Sequence, residues 1–193
     1  MNFKITFLVT FIFGSLLYAQ TPNRETSDRI YWDEHKKLNW EDFQGKPQKN
    51  QAAAALSSIA IPYGFEANSK GVIKVKLRVC FEKNISWSKK EMHNDRLLAH
   101  ERLHFDIAEL HRRKIVKALK EAKLGKSNYK EKLENIVIEH WKKEYRLMQD
   151  RYDRETDFSK AVNKQEEWGR MVKRLLEKHA QYKEENFIIR LGL

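Results

Sequence analysis

The run Ala99-His100-Glu101-Arg102-Leu103-His104 combines the residue types and the spacing of a hydrolytic metal site. In a helix, residues four positions apart lie on one face, so the imidazoles of His100 and His104 can bind one cation. Zinc accepts imidazole nitrogens in tetrahedral geometry, and a catalytic zinc keeps one position for water. Glu101 would stand beside the metal as the general base for that water. The spacing predicts a Zn²⁺ site with His100 and His104 as ligands and Glu101 as the catalytic carboxylate.

A third zinc ligand must come from another part of the chain. On the same helix, Asp106 and Glu109 would point away from the two histidines, and His111 would lie too far along the axis. Carboxylates near the end of the following helical segment can reach the motif if the two helices pack antiparallel. Asp153 is the preferred candidate, with Glu155 and Glu144 as alternatives.

Three long helices are predicted to carry these residues, at about residues 94–122, 128–152 and 159–180. Each of these segments repeats apolar residues at helical spacing. Asn94 or Ser88 can cap the first helix, which contains the histidine motif. The Gly125-Lys126-Ser127 break separates the first two helices. The short break predicts that these two helices pack against each other.

The sequence before the helices is patterned for a β-hairpin. Residues 54–65 are rich in small, β-branched and aromatic side chains, and residues 72–81 alternate apolar and polar residues. The stretch from residue 67 to Gly71 has turn composition. Pro62 predicts that the first strand is broken there or lies at an edge. The apolar tail around Ile188 is expected to dock onto the domain.

These patterns predict an α+β fold with an N-terminal β-hairpin or small antiparallel sheet packed on three long helices, a zincin-like arrangement. Residues 1–19 have the charged start, apolar run and small-residue end of a cleaved signal peptide. Residues 20–37 are interpreted as a loose leader segment, and residues 38–193 as a single metallopeptidase-like domain. A periplasmic or secreted location follows, with no stable membrane anchor after cleavage.

The single cysteine excludes an intramolecular disulfide, and the distribution of charge argues against a nucleic-acid interface. Cys80 is the only cysteine, so no intramolecular disulfide can form, and its place in a strand-like run indicates a buried apolar role. The formal net charge is +11. Because the basic residues alternate with glutamates and form no recognition motif, nucleic acid is not an expected partner.

Three parts of the chain resemble a bacterial family of predicted secreted zinc-dependent proteases of otherwise unknown function, the DUF922-like proteins with an HExxHFD motif. The similar segments are Leu98–Asp106, Leu38–Gly45 and Tyr152–Thr156, followed by Gln165 and Trp168. The resemblance implies a small α+β domain in which the histidine helix binds zinc and Glu101 is catalytic.

The residues and the resemblance together predict a secreted zinc metallopeptidase that acts on a peptide or protein substrate. In the family pattern, a histidine often follows two residues after the threonine of the Tyr-Asp-x-x-Thr segment, and Phe158 occupies that position here. This departure motivates an alternative hypothesis. In the alternative, the chain is a catalytically weak or inactive metal-binding envelope protein that serves as an interaction module.

Overall fold

The computed structural model describes residues 25–47 and 51–192 of the chain. The predicted signal peptide at residues 1–19 lies outside the described residues. No helix within the described residues is long and apolar enough to cross a membrane.

Eight short strands and four α-helices make up the described fold. The strands are β1 (Arg29–Tyr31), β2 (Ala55–Leu56), β3 (Ile59–Ala60), β4 (Tyr63–Ala67), β5 (Val72–Leu77), β6 (Cys80–Glu82), β7 (Trp87–Ser88) and β8 (Asn186–Arg190). The helices are α1 (Asp95–Glu121), α2 (Tyr129–Ile138), α3 (Arg146–Glu155) and α4 (Val162–Lys178), with a π-helical segment (Glu139–Tyr145) between α2 and α3. All paired strands are antiparallel, in the orders β1-β6-β3, β2-β7 and β4-β5-β8. The prediction of an α+β fold with small antiparallel sheets and helices is confirmed.

The predicted hairpin is formed by β4 and β5, which pair from Tyr63 with Leu77 to Ala67 with Ile73. Asn68 organises the turn, because its side-chain oxygen accepts hydrogen bonds from two backbone amides within the turn and at the start of β5. Gly71 adopts φ 72° there, a conformation that suits glycine. Alternate side chains of β5 are buried, as its sequence predicts.

Pro62 separates β3 from β4, so the strand predicted over residues 54–65 is broken into three pieces. The tail also docks as predicted, since β8 adds to the free edge of β5 with Ile189 opposite Ile73. The loose leader predicted for residues 20–37 contains a strand, which is a correction. Within that strand, Ile30 pairs with Phe81 of β6. The Ile30 side chain is part of the apolar core and is 1% exposed, so this segment is held to the domain.

Of the two predicted caps, Asn94 is the one that caps α1, by accepting a hydrogen bond from the backbone N–H of Leu97 at 2.9 Å. The 27-residue helix packs against α2, the π-helical segment, α3 and α4. Its neighbours cover most of its circumference, which explains why it contains buried polar residues such as His100 and Glu101. The motif helix is therefore the central element of the domain.

The second and third predicted helices differ from expectation at their ends. The helical segment after α1 continues to Glu155, and α4 begins at Val162, not near Ser159. Asp157, Phe158 and Ser159 all have positive φ, which interrupts the helix and turns the chain toward α4. This turn follows directly on the end of α3, where Asp153 lies.

Two apolar clusters hold the elements together. The larger joins β5 to α1 and α2, with Ile73, Ile115 and Leu133 among its fully buried members. The smaller lies between α1, α3 and α4 and includes Ile107 and Tyr152, which are 0% exposed. The smaller cluster packs beneath the two histidines of the motif.

Candidate metal centre

The motif histidines lie one turn apart on α1, with their rings at 88° and their centroids 4.6 Å apart. Their Nε2 atoms approach to 3.1 Å. The side chain of His100 is 3% exposed and that of His104 is 13% exposed. Helical spacing and burial against α3 therefore bring both imidazoles to one point, as the sequence predicts.

Asp153 reaches the same point from α3. Its Oδ1 atom lies 3.1 Å from Nε2 of His100 and 2.9 Å from Nε2 of His104. Its side chain is 31% exposed, so the cluster opens to solvent on the Asp153 side. Of the three carboxylates considered from the sequence, this one joins the histidines.

The other two carboxylates have partners elsewhere. Glu155 binds Arg151 at 2.7 Å and accepts a hydrogen bond from the indole of Trp168 at 2.9 Å. Glu144 pairs with His140 one turn earlier on its own helix. Their directions follow from the helical twist, which turns both residues away from the face that carries Asp153.

The three candidate ligand atoms form a nearly equilateral triangle with edges of 2.9 to 3.1 Å. In a tetrahedral zinc site with bonds of about 2.0–2.2 Å, neighbouring ligand atoms are roughly 3.4 Å apart. The observed edges differ from this value by a few tenths of an ångström. The residues present therefore fit a metal ion, and three ligands leave a fourth position for water or substrate.

Two glutamines fix the orientation of the imidazoles. Nδ1 of His100 donates to Oε1 of Gln165 at 3.1 Å, and Nδ1 of His104 donates to Oε1 of Gln149. Gln149 also donates from Nε2 to the backbone oxygen of His104 at 3.0 Å, which fixes the orientation of its amide. Because an amide oxygen only accepts, each Nδ1 carries a hydrogen, so each Nε2 is the nitrogen that can give its lone pair to a metal ion when the ring is neutral.

Tyr152 forms the floor of the site. Its ring stacks on His100 at 4.5 Å and meets His104 edge-on at 4.9 Å. Its hydroxyl donates to the backbone oxygen of His100 at 3.3 Å. Burial raises the pKa of Tyr152 well above its usual range, so its hydroxyl stays protonated. The ring limits movement of both imidazoles.

The electrostatics of the cluster favour a cation. Burial would raise the pKa of Asp153, but hydrogen bonds with His100 and His104 outweigh it and hold that pKa well below its usual range. Burial would lower the pKa of His104, but Asp153 and the negative charge of Glu101 raise it. The two shifts are two sides of one interaction, in which the Asp153 carboxylate and the imidazole N–H donors stabilise each other, and the same carboxylate would stabilise a metal ion at this point.

Glu101 is buried beside the cluster, with 4% of its surface exposed. Its Oε2 atom accepts a hydrogen bond from the hydroxyl of Ser57 at 2.7 Å. Ser57 lies in the connection between β2 and β3, so the carboxylate is held between that connection and α1. The arrangement leaves one carboxylate oxygen of Glu101 available for a proton.

Phe158 lies in the turn after α3 and is 62% exposed. Its backbone N–H donates to the carbonyl of Asp153 at 2.9 Å. Its φ of 50° is unusual for a bulky residue. An aromatic side chain therefore projects into solvent at the end of the helix that carries Asp153.

Sequence reasoning missed Ser57 and did not assign roles to Gln149, Gln165 and Tyr152. Gln149 lies one helical turn before Asp153, so the spacing on α3 could have indicated it. Ser57 has no such signal, because its contact with Glu101 joins residues 44 positions apart in different elements.

Comparison with known proteins gives a family and no activity. The model of a family described as bacterial protein of unknown function (DUF922) matches residues 20–161. This range includes the β4–β5 hairpin, the histidine motif and Asp153. No curated protein and no solved structure matches the chain.

Proposed function

The chain belongs to the DUF922 family of bacterial proteins of unknown function, and we propose that it is a secreted zinc-dependent hydrolase that cleaves peptide bonds. The observation that carries the proposal is the triangle of His100 Nε2, His104 Nε2 and Asp153 Oδ1, with edges of 2.9 to 3.1 Å. Glu101 follows His100 directly in sequence, and its charge acts on His104 of this triangle. This combination is the chemical requirement for activating water at a metal.

The donor set favours zinc. Two neutral imidazoles and one carboxylate suit Zn²⁺, which commonly has three protein ligands in catalytic sites. When bound, zinc polarises a substrate carbonyl and makes a water molecule acidic enough to lose a proton near neutral pH. The proposed ligands are His100, His104 and Asp153.

Each residue of the site has a defined task in the proposed reaction. Glu101 takes a proton at its free carboxylate oxygen and returns it to the leaving amine. Gln149 and Gln165 hold the imidazoles with Nε2 facing the cluster. Tyr152 closes the floor against water. These roles and the His-Glu-x-x-His helix support the proposal that the domain is zincin-like.

An extended peptide is a suitable substrate for the surface beside the site. β2 pairs with β7 on one side, and its other edge has no strand partner among the described residues. Ser57 follows β2 directly and contacts Glu101. A strand edge this close to the carboxylate could hold a substrate backbone by hydrogen bonds. Secretion is supported by the signal-peptide pattern of residues 1–19.

The experiment is to purify the chain from residue 20, load it with zinc and compare it with Glu101→Gln on casein and on peptide libraries. We expect hydrolysis by the wild type and a loss of at least a hundredfold in Glu101→Gln. If the wild type binds zinc but hydrolyses no substrate, the result would support the alternative hypothesis of a metal-binding interaction module, whose surface would include the exposed Phe158. A Glu101→Gln variant as active as the wild type would contradict the proposed mechanism.

A further inference from the structure

We propose that Ser57 is a positioning residue that keeps Glu101 off the metal and so preserves the open fourth coordination position. This inference rests on the proposed function, because it concerns how the same site stays catalytic. The evidence is the 2.7 Å hydrogen bond from the Ser57 hydroxyl to Oε2 of Glu101.

Glu101 has few other constraints on its carboxylate. Ser57 is the hydrogen-bond donor to this carboxylate within the described parts of the chain. Glu101 is 4% exposed, so water cannot surround its charge freely. A buried carboxylate near a dication is attracted to it, and carboxylate oxygens are good zinc ligands. A competing hydrogen bond is therefore needed to keep this side chain beside the ion.

The connection that carries Ser57 is itself anchored, so its hydroxyl is a fixed point. The next residue, Ser58, accepts a hydrogen bond at its backbone oxygen from Glu82 and donates from its backbone N–H to Oγ of Ser86. The Ser58 hydroxyl donates to Oε2 of Glu82 at 3.1 Å. The two backbone contacts of Ser58 tie the connection to β6 and to the loop before β7 without using its hydroxyl.

A metal centre with four protein ligands is typical of structural zinc, whereas a catalytic one keeps a position open. If Glu101 moved onto the metal it would fill that position and lose its function as a base. The hydrogen bond from Ser57 thus decides whether these residues form an open catalytic centre or a closed structural one. The consequence is that loss of one hydroxyl converts a catalytic centre into a closed one.

The test compares Ser57→Ala, Ser57→Thr and Ser58→Ala with the wild type. Ser58→Ala is a matched control, because it removes a neighbouring hydroxyl that also binds a glutamate, Glu82, outside the site. The first readout is the visible absorption spectrum of the protein loaded with Co²⁺, which reports coordination without any substrate. The second is kcat and KM on the substrate found for the wild type.

We expect Ser57→Ala to change the Co²⁺ spectrum and to bind a small competing anion, azide, at least tenfold more weakly. Adding Glu101→Gln to Ser57→Ala should restore the wild-type spectrum, because the amide is a poorer ligand than the carboxylate. Ser57→Ala should lower kcat about tenfold or more with KM unchanged, and Ser57→Thr should recover most of it. Ser58→Ala should behave as the wild type in every assay.

Two results would overturn the inference. One is a Co²⁺ spectrum and azide affinity in Ser57→Ala that match the wild type, and the other is an equal change in Ser58→Ala. A failure of the proposed function looks different, because Co²⁺ then binds and responds to Ser57 without hydrolysis of any peptide. A wild type that binds no Co²⁺ at all would overturn both.

Discussion

Nε2 of His104 lies 2.9 Å from Oδ1 of Asp153, although the two residues belong to α1 and α3 and are separated by a π-helical segment. The contact therefore depends on how α3 is set against α1. The π-helical segment packs on α1 just before α3 begins, and such segments often occur at functional sites. The register that it gives to α3 brings Asp153 and Gln149 to the same face as the histidines.

Asp153→Asn should greatly weaken metal binding. The substitution keeps the size of the side chain but removes the charge that complements the cation, so we expect the zinc affinity to fall at least a hundredfold. Competition with a coloured chelator measures it. Glu155→Gln is the matched control, because it removes a nearby carboxylate that pairs with Arg151, and it should retain the wild-type affinity. Equal affinity in Asp153→Asn and wild type would exclude Asp153 as a ligand.

Gln149→Leu should lower zinc affinity by about ten- to a hundredfold, the range found when the hydrogen-bond partner of a ligating histidine is lost. Without the acceptor at Nδ1 of His104, the imidazole can rotate or place its hydrogen on Nε2. The same chelator competition reports the affinity. The exposed Gln181 offers a control, since Gln181→Leu should leave zinc binding unchanged. Unchanged binding in Gln149→Leu would show that Tyr152 and packing orient the ring without it.

His111 should make the apoprotein sensitive to acid. It is 1% exposed, and burial together with the charges of Lys114 and His140 lowers its pKa to about 3. The unfolded chain binds a proton at this residue near pH 6.5, and the folded chain does not, so stability falls as the pH falls below that value.

Between pH 6.5 and pH 4 this effect amounts to roughly 3 kcal/mol. Urea unfolding of the apoprotein at the two pH values measures it. Over this pH range, the free energy of unfolding of His111→Leu should fall by about 3 kcal/mol less than that of the wild type. The free energy of unfolding of His35→Leu, at an exposed position, should fall as much as that of the wild type. A pH dependence in His111→Leu identical to that of the wild type would contradict the assignment.

Arg112 should be critical for stability. Its guanidinium is 1% exposed, binds the Glu109 carboxylate at 2.7 and 2.8 Å, and donates to the carbonyls of residues 182–184. Arg112→Met leaves those carbonyls and part of the Glu109 charge unpaired before β8, so we expect a loss of about 3 kcal/mol. Chemical denaturation measures it. Arg170→Met, which breaks an exposed pair with Glu166, should cost under about 0.5 kcal/mol.

The sequence was most informative where chemistry is local. The spacing of His100 and His104 fixes their common face on any helix, and Asn94 marks the start of that helix. The alternation of β5 likewise determines which of its side chains are buried. These features depend on neighbouring residues, and the structure agrees with them.

Features that depend on the packing of distant elements were predicted less well. Three carboxylates of the second helical segment were candidates, and the rotation of α3 against α1 decides that Asp153 faces the histidines. Ser57 contacts Glu101 because a loop between two short strands lies against α1. The strand at Ile30 was missed because three residues of alternating pattern resemble a polar leader. None of these has a local signal in the sequence.

The anomalous difference map of a crystal grown with zinc, measured at the zinc absorption edge, would locate the metal ion directly. We predict one strong peak at about 2.0–2.2 Å from Nε2 of His100, Nε2 of His104 and Oδ1 of Asp153. Glu101 should lie outside the first coordination sphere, with its hydrogen bond to Ser57 retained. A fully occupied zinc elsewhere on the protein, with no peak between these three atoms, would show that His100, His104 and Asp153 do not form the metal site.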